Sequence, residues 1–356
     1  MRLYSRPLTL LAAMAAGPAL AGDFDACRTL ADDAARLACY DRAAGRVAPE
    51  PSAPPAQSVR TPLPVARPDA SPAGWFGSAG LRPQTLSQRW ELDAQDKDGV
   101  WKIKPYQPVY LLPANWRRNV NESPCSPNPA NCAAGTGDGY RNVEAKFQLS
   151  FKTKAWQDAL GSPIDLWLGY TQQSFWQVYD SQDSRPFREN DFQPEAWFTM
   201  PVSIGPQWLR WRMLNVGVVH QSNGQTDPLS RSWNRVYTTF GLSSGDASIL
   251  VKPWWRISES AADDNNPDIS DYVGRVEVQV VKPFGVSVAS ASLRNNLKFG
   301  SSSVPNRTSI LFEWSFPLYG MMHGYLQAFY GWGDSLQNYN FRNTSLGIGV
   351  SFVEWR

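Results

Sequence analysis

The sequence predicts an all-β protein, a twelve-stranded antiparallel transmembrane β-barrel that follows a short N-terminal Cys-clamped helical module and a linker. Three observations predict this fold. The chain begins with an export signal, its later segments alternate apolar and polar residues, and its 356 residues include 16 Trp, 13 Tyr and 16 Phe. Alternating, aromatic-rich segments in an exported protein are typical of barrels that face lipid on one side and a polar lumen on the other.

Residues 1–21 have the pattern of a signal peptide. Two N-terminal arginines are followed by an apolar stretch from Leu8 to Ala16 and by the small-residue cleavage site Ala19-Leu20-Ala21. A buried helix is the alternative interpretation, but the order of charge, apolar run and cleavage site favours export. We expect the mature chain to begin near Gly22, outside the cytoplasm.

The four cysteines form two local pairs. Cys27 and Cys39 flank a helical-looking run inside residues 22–45, and Cys125 and Cys132 bracket a short loop. An oxidising compartment favours disulfides, and the simplest connectivity joins each local pair. Four free thiols are the alternative. The spacing does not favour a metal site because no C-x-x-C pair is present.

Residues 46–84 are rich in Pro and Ala and are predicted to form an extended linker. Residues 85–356 are predicted to form the barrel domain. No run of about 18 apolar residues follows the signal, so no transmembrane helix is expected. The net charge of +2 argues against a nucleic-acid-binding protein that relies on a strong basic field.

Alternation with period two identifies the strands. In residues 143–152, Val143, Phe147 and Phe151 share one face, while Lys146 and the other polar residues share the opposite face. A soluble sandwich is the alternative, but the abundance of Glu, Lys, Arg and Gln on the polar faces favours a barrel with a polar lumen. Twelve strands are expected near residues 105–112, 143–153, 163–176, 195–204, 208–222, 232–243, 246–257, 271–281, 284–294, 308–316, 323–331 and 344–354.

Three polar residues, His220, Ser222 and Asn234, lie on the otherwise apolar faces of two of these strands. His220 and Ser222 lie two residues apart, so on a strand they point to the same side. Their parity is that of Val218, which places them on the apolar, lipid-facing side. On the next strand Asn234 shares the parity of Val236. A base beside a hydroxyl can make Ser222 a nucleophile, and a hairpin could bring Asn234 to the imidazole as an orienting amide.

Polar groups that face hydrocarbon are costly and usually mark function. One such residue alone could simply lie in a solvated rim of the barrel. Three such residues that could act as base, nucleophile and orienting amide favour a catalytic site. A non-catalytic porin-like or structural outer-membrane barrel is the alternative function, and it leaves the outward triad unexplained. His323, the other histidine, lies in a Gly-flanked turn or strand end and is expected to be structural.

The segment from His220 to Tyr237 closely resembles the signature of the bacterial outer membrane phospholipase A family. Further similar segments occur in the same order as in that family, and the resemblance covers roughly residues 85–356. These segments are Tyr170-Thr171-Gln172, Ser184-Arg185-Pro186-Phe187-Arg188-Glu189, Lys252-Pro253-Trp254 and Asp263-Asp264-Asn265-Asn266-Pro267-Asp268-Ile269.

The resemblance implies a Gram-negative outer-membrane enzyme that hydrolyses both acyl esters of phospholipids, at sn-1 and sn-2. It implies Ser222 as the nucleophile, His220 as the general base and Asn234 as the orienting residue. The main-chain N–H of Gly224 would donate to the oxyanion. Residues 22–73 have no counterpart in the part of the family that the resemblance covers.

The resemblance also implies a requirement for Ca²⁺ and an active homodimer that shares each calcium ion. Ser230 and the carbonyl of Gln225 would bind calcium from one subunit, and the carbonyl of Ser184 from the other. Asp264 matches a further acidic ligand, and Gln172 matches a polar residue of the dimer interface. A rim residue near the strand end is the alternative interpretation of Gln172. The expected partners are therefore phospholipid, membrane and a second copy of the chain, with no nucleic acid. Oxygen-only ligands suit a hard cation such as calcium.

Overall fold

The computed structural model describes residues 24–45, 84–133, 139–182, 184–320 and 322–353. The predicted signal peptide and nearly all of the predicted linker lie outside these residues. Within the described ranges, no helix is long and apolar enough to cross a membrane.

Twelve antiparallel strands close into a barrel, as the sequence predicts. Each strand pairs with its neighbours along the chain, and the first long strand, β2, pairs with both β3 and the last strand, β13. A short strand, β1, also pairs with β3. The strands are β1 (Ile103–Pro105), β2 (Val109–Arg117), β3 (Val143–Trp156), β4 (Asp165–Trp176), β5 (Phe187–Ile204), β6 (Arg210–Ser222), β7 (Ser232–Ser244), β8 (Ala247–Ile257), β9 (Val276–Phe284), β10 (Ser287–Asn295), β11 (Thr308–Tyr319), β12 (Met322–Trp332) and β13 (Arg342–Val353).

Most strand bounds differ from the prediction by one to three residues, and three strands differ by more. The first predicted strand, 105–112, is split because Pro108 lacks a backbone donor, and the Gln107 N–H donates to Ser150 Oγ instead. Strand β5 begins eight residues earlier than predicted, at Phe187. Strand β9 begins later, since Ile269–Tyr272 forms a short helix, α4.

The two faces of the wall have the predicted polarity. In β3 the apolar Leu149 and Phe151 are exposed on the outer face, whereas Lys146, Ser150 and Lys152 are buried on the inner face. The same alternation recurs in β11 and β13. An apolar exterior and a polar interior are typical of a membrane-spanning barrel. Closure of the barrel also satisfies the backbone hydrogen bonds of its strands within the lipid.

Charged side chains fill the interior at one end of the barrel by pairing with each other. Glu144 accepts two hydrogen bonds from Arg188, both at 3.0 Å, and lies 3.2 Å from Arg117 Nε. All three side chains are buried. A bidentate guanidinium–carboxylate pair of this kind compensates for the loss of water around buried charges.

A short helix, α3 (Leu86–Trp90), packs on the inward side chains of the wall. Thr85 caps it through a reciprocal hydrogen-bonded box with Gln88. Its last residue, Trp90, meets Tyr106 and Trp197 edge to face, each at 5.9 Å between ring centroids. The helix therefore contributes to a buried, largely aromatic cluster inside the barrel.

The N-terminal described residues form a helical module of their own, as predicted. Helices α1 (Phe24–Cys27) and α2 (Asp33–Ala43) are joined by the Cys27–Cys39 disulfide, and Asp32 caps α2. The second predicted pair, Cys125–Cys132, is also bonded. Three short 3-10 helices complete the described elements, at Ala94–Asp96, Pro129–Asn131 and Ala159–Gly161.

Candidate active site

The register between β6 and β7 brings two predicted site residues together. His220 lies directly opposite Asn234 in the antiparallel ladder. Both side chains point away from the lumen, because His220 alternates with the buried Val219 and shares its face with the exposed Val218. The His220 Nδ1 atom lies 2.8 Å from Asn234 Oδ1. The lipid-facing wall therefore carries a hydrogen-bonded imidazole and amide.

This hydrogen bond selects one form of the imidazole. An amide oxygen can only accept, so His220 Nδ1 must carry the proton that it shares with Asn234. The other nitrogen, Nε2, is then the basic atom of the neutral ring. A ring held in this tautomer can take a proton from a nearby hydroxyl.

Ser222 lies on the same outer face, two residues beyond His220 at the end of β6. Its strand partners are Phe192 of β5 and Ser232 of β7. Among the described residues, the Ser222 hydroxyl forms no hydrogen bond, to His220 or to any other group. A serine hydroxyl can turn about χ1, and catalytic hydrogen bonds often tighten only when substrate binds.

The residue type at position 224 is set by its backbone. Gly224 has a φ of +61°, and an added Cβ would lie 2.9 Å from the ring of Phe192. Both features favour glycine. Within the described chain the Gly224 N–H donates to no protein acceptor, and Gly224 follows Ser222 by two residues. A free main-chain donor beside a nucleophile is suited to an oxyanion.

Asn223 closes the loop that joins β6 to β7. Its amide donates to the Leu229 carbonyl at 2.8 Å and accepts from the Arg231 N–H at 2.9 Å, and the side chain is buried. Arg231 is itself fully buried, and burial lowers the pKa of its guanidinium below the usual value. These hydrogen bonds close the loop from Asn223 to Arg231 between the ends of β6 and β7.

Three of the four predicted calcium residues lie in or beside this loop. Ser230 Oγ accepts from Asn265 Nδ2 at 3.0 Å. The side chain of Gln225 donates to the Arg188 carbonyl at 2.9 Å, which fixes the loop to β5. Asp264 differs from them because its Oδ1 is paired with Arg256 at 2.6 Å. Its carboxylate is thus already engaged by a cation of the protein.

The fourth predicted calcium residue, Ser184, and the predicted dimer-interface residue, Gln172, lie nearer the β4–β5 connection. Ser184 stands in the turn before β5 with a φ of +57°. Gln172 of β4 faces outward, where its amide accepts from the Tyr170 hydroxyl at 3.0 Å and donates to Ser174 Oγ at 3.1 Å. In the described residues, no group of three or more His, Cys, Asp or Glu side chains is placed to hold a metal ion.

An apolar groove runs beside the imidazole on the outer wall. It has a volume of about 440 Å³ and is lined mainly by apolar residues of β5, β6 and β8 together with His220 and Asn234. Pro194, Ala196 and Val218 are among its apolar lining residues. A groove of this chemistry can accommodate a hydrocarbon chain next to the site.

Comparisons with known proteins decide the family. The model of the family described as phospholipase A1 matches residues 86–352. A putative phospholipase A1 from Neisseria meningitidis is 34% identical over 349 residues, covering 92% of this chain and 90% of the relative. The chain belongs to the phospholipase A1 family.

Other family members match a similar part of this chain, and their solved structures have a similar fold. Phospholipase A1 of Escherichia coli is 32% identical over 72% of this chain and 83% of its own length. The solved structure of outer membrane phospholipase A from E. coli has a TM-score of 0.66 at 30% identity, covering 76% of this chain and 99% of that one. A structure from Salmonella typhi, described as an outer membrane phospholipase dimer with bound calcium, has a TM-score of 0.64 at 31% identity, covering 73% of this chain and 95% of that one.

This membership places the phospholipase A1 barrel in the Gram-negative outer membrane. The match to the Neisseria relative also includes residues before the barrel. Residues 85–356 are about three quarters of the chain, so a match covering 92% extends into residues before the barrel. At least part of the region before residue 85 therefore has a counterpart in this phospholipase A1 relative, which the resemblance over residues 85–356 did not indicate.

Sequence reasoning missed several residues that surround the site. Glu259 accepts from Asn234 Nδ2 at 2.9 Å, and Asn131, beside the Cys125–Cys132 disulfide, donates to Asp227 Oδ1 at 2.6 Å. Glu259 follows the end of β8 by two residues, and β8 pairs with β7, so the strand register contained a signal for it. The contact of Asn131 joins two distant loops, and no local pattern could indicate it. His323 is buried on the inner face, in agreement with a structural role.

Proposed function

We propose that the protein hydrolyses acyl ester bonds of phospholipids at the outer membrane, with Ser222, His220 and Asn234 as its catalytic groups. The observation that carries this proposal is the His220–Asn234 hydrogen bond of 2.8 Å on the lipid-facing wall, on the same face as Ser222. Membership in the phospholipase A1 family supports the same reaction. A structural barrel has no use for a hydrogen-bonded imidazole in this position.

In the first half-reaction Ser222 Oγ attacks the carbonyl carbon of the ester. His220 Nε2 takes the hydroxyl proton, while Asn234 keeps the ring in place and stabilises the imidazolium. The carbonyl oxygen becomes negative and receives the Gly224 N–H. The bond to glycerol then breaks, and the leaving alcohol of the lysophospholipid takes the proton from His220.

The second half-reaction releases the fatty acid. A water molecule gives a proton to His220 and attacks the acyl–Ser222 ester. Collapse of the tetrahedral species returns the proton to Ser222 and frees a carboxylic acid. The apolar groove beside His220 can hold the acyl chain during both steps. Since the site lies on an open outer wall, we propose that both sn-1 and sn-2 esters can reach it.

We propose that calcium completes the site. The Ser230 hydroxyl and the Gln225 carbonyl provide oxygen atoms on the loop that follows Ser222. Oxygen ligands of this kind suit a hard cation such as calcium. A calcium ion held there would supply positive charge near the developing oxyanion. Asp264 is the weakest of the proposed ligands because it already pairs with Arg256.

We further propose that the active form is a homodimer, in which the Ser184 carbonyl of one subunit completes the calcium site of the other. The Salmonella relative described as a dimer with bound calcium supports this arrangement. Gln172 supports it as well, because it presents an amide on the outer wall among apolar groups. Dimerisation would then activate the enzyme, and a covalently trapped monomer with full activity would contradict this step.

The test is release of fatty acid from phospholipid micelles by purified protein, with calcium or with a chelator. We expect Ser222→Ala to lower kcat by several orders of magnitude. Ser244→Ala is the matched control, since Ser244 ends the strand of Asn234 at the far end of the barrel. Wild-type activity that persists in Ser222→Ala would refute the catalytic assignment, and a folded wild type without lipolysis would refute the activity.

A further inference from the structure

A carboxylate lies beyond the amide of the catalytic set. Strand β8 pairs with β7 so that Ile257 stands opposite Asn234, and the chain leaves the sheet directly afterwards. This exit brings Glu259 to the far side of Asn234, where Glu259 Oε1 accepts from Asn234 Nδ2 at 2.9 Å. The side chains of His220, Asn234 and Glu259 therefore form one continuous hydrogen-bonded chain.

The carboxylate determines which way the amide points. An ionised carboxylate can only accept hydrogen bonds, so it holds the NH₂ end of Asn234. The oxygen end must then face His220, and the proton must reside on Nδ1. If the amide were reversed, its NH₂ group would donate to Nδ1, and Nε2 would carry the proton. That tautomer cannot accept the proton of Ser222.

The position of Glu259 is itself fixed by neighbouring charge. Its side chain is 19% exposed, and its second oxygen lies 3.6 Å from Arg256 Nη2. Arg256 is held in turn by Asp264 at 2.6 Å and by the carbonyl oxygens of Asn266 and Pro267 at 3.1 and 3.0 Å. Arg256 therefore holds the Glu259 side chain in place beside Asn234.

We propose that Glu259 is a positioning residue, which fixes the orientation of the Asn234 amide and through it the tautomer of His220. The proposal rests on the proposed function of this site. Glu259 contacts neither the ester nor Ser222 in this scheme and acts only through Asn234. Its removal should therefore affect turnover rather than substrate binding, and only while Asn234 is present.

The experiment compares kcat and KM of Glu259→Ala, Glu259→Gln, Asn234→Ala and the double variant Asn234→Ala/Glu259→Ala. Calcium-loaded full-length protein and micellar phosphatidylcholine are used. The control is Ser258→Ala, an exposed neighbour in the same segment. Heat-dependent gel migration shows that each barrel is folded. We expect Glu259→Ala to lower kcat about 10-fold with KM unchanged, the effect of losing one charged hydrogen bond.

Two further results are expected. Glu259→Gln keeps an acceptor oxygen of the same shape and should recover much of the lost turnover. In the Asn234→Ala background, Glu259→Ala should have no additional effect. The positioning role would be overturned if Glu259→Ala lowered kcat as much in the Asn234→Ala background as in the wild type. A change in KM without a change in kcat would also overturn it. Equal activity of wild type and Glu259→Ala would overturn it too, whereas activity that survives Ser222→Ala would instead refute the proposed function.

Discussion

Asn131 donates to Asp227 at 2.6 Å and thereby ties the disulfide-closed loop between β2 and β3 to the loop that follows Ser222. Arg231 strengthens the connection, since its guanidinium donates to the Asn131 carbonyl at 2.9 Å. Asn128, from the same disulfide loop, donates to the Asp264 carbonyl at 3.0 Å. The loop that carries Gln225 and Ser230 and the segment that carries Asp264 are thus held by the same disulfide loop, and these contacts together form a brace.

This brace predicts that the Cys125–Cys132 disulfide affects calcium affinity. Replacing both cysteines by serine should loosen Asn131 and Asn128, because the loop loses its covalent closure. We expect the calcium concentration for half-maximal activity to rise several-fold, with kcat at saturating calcium close to wild type. The matched control is Cys27→Ser/Cys39→Ser, which removes the other disulfide. An unchanged calcium titration in the first variant would contradict the role of the brace.

Asn234→Ala should leave the imidazole without its partner. The ring of His220 could then rotate and exchange tautomers, so we expect kcat to fall on the order of 100-fold. Thr238→Ala, on the same face of β7, is the control and should be close to wild type. Steady-state kinetics on micellar phospholipid provide the measurement. A variant with wild-type kcat would show that the hydrogen bond of 2.8 Å has no catalytic role.

Gly224→Ala is expected to displace the oxyanion donor. The new Cβ would approach the Phe192 ring to 2.9 Å at a φ of +61°, so the loop must shift. We expect a fall in kcat of about 10-fold, which is less than complete loss of an oxyanion donor causes. Phe192→Ala should partly restore the turnover of Gly224→Ala, because it removes the ring that the Cβ meets. A double variant no better than Gly224→Ala would contradict the steric explanation.

Asp268 predicts a pH dependence of stability. Burial raises the pKa of its carboxyl above the usual value, even though the Tyr339 hydroxyl donates to it. Between the ordinary and the raised value, the folded carboxyl keeps a proton that the unfolded chain has lost. The free energy of unfolding should therefore fall as pH rises through this interval.

The measurement is urea unfolding of wild type and Asp268→Asn over a pH series that begins near pH 4. The wild type should lose stability relative to the variant as the pH increases, and the difference should level off once the folded carboxyl has ionised. Parallel stability curves for the two proteins would show that burial of Asp268 has no such effect.

Strand faces could be predicted from the sequence because lipid and lumen impose opposite chemistry on alternate residues. The parity argument correctly placed His220 and Asn234 on the outer wall, as the exposed Val218 and Val236 on the same faces show. It failed at Tyr272, which was assigned to a strand although it lies in helix α4. Tyr272 is four residues before Val276, a spacing that fits both a helical turn and period two.

Contacts between loops could not be predicted in the same way. The start of β5 was missed since Arg188 and Glu189 look like solvated loop residues, yet both are buried in ion pairs inside the barrel. Glu259 was missed because it lies outside any strand, although the register of β8 against β7 contained a signal for its contact with Asn234. The burial of Arg188 and Glu189 depends on three-dimensional closure of the barrel rather than on local pattern.

The most direct test of the central claim is covalent labelling of the nucleophile. A fluorophosphonate that reacts with activated serines is incubated with the calcium-loaded protein, and the modified residue is located by peptide mass spectrometry. We expect one label per chain, on Ser222, with parallel loss of lipolysis and with labelling strongly reduced in His220→Ala. Labelling of a different serine, or complete lipolysis by protein whose Ser222 is fully modified, would contradict the account.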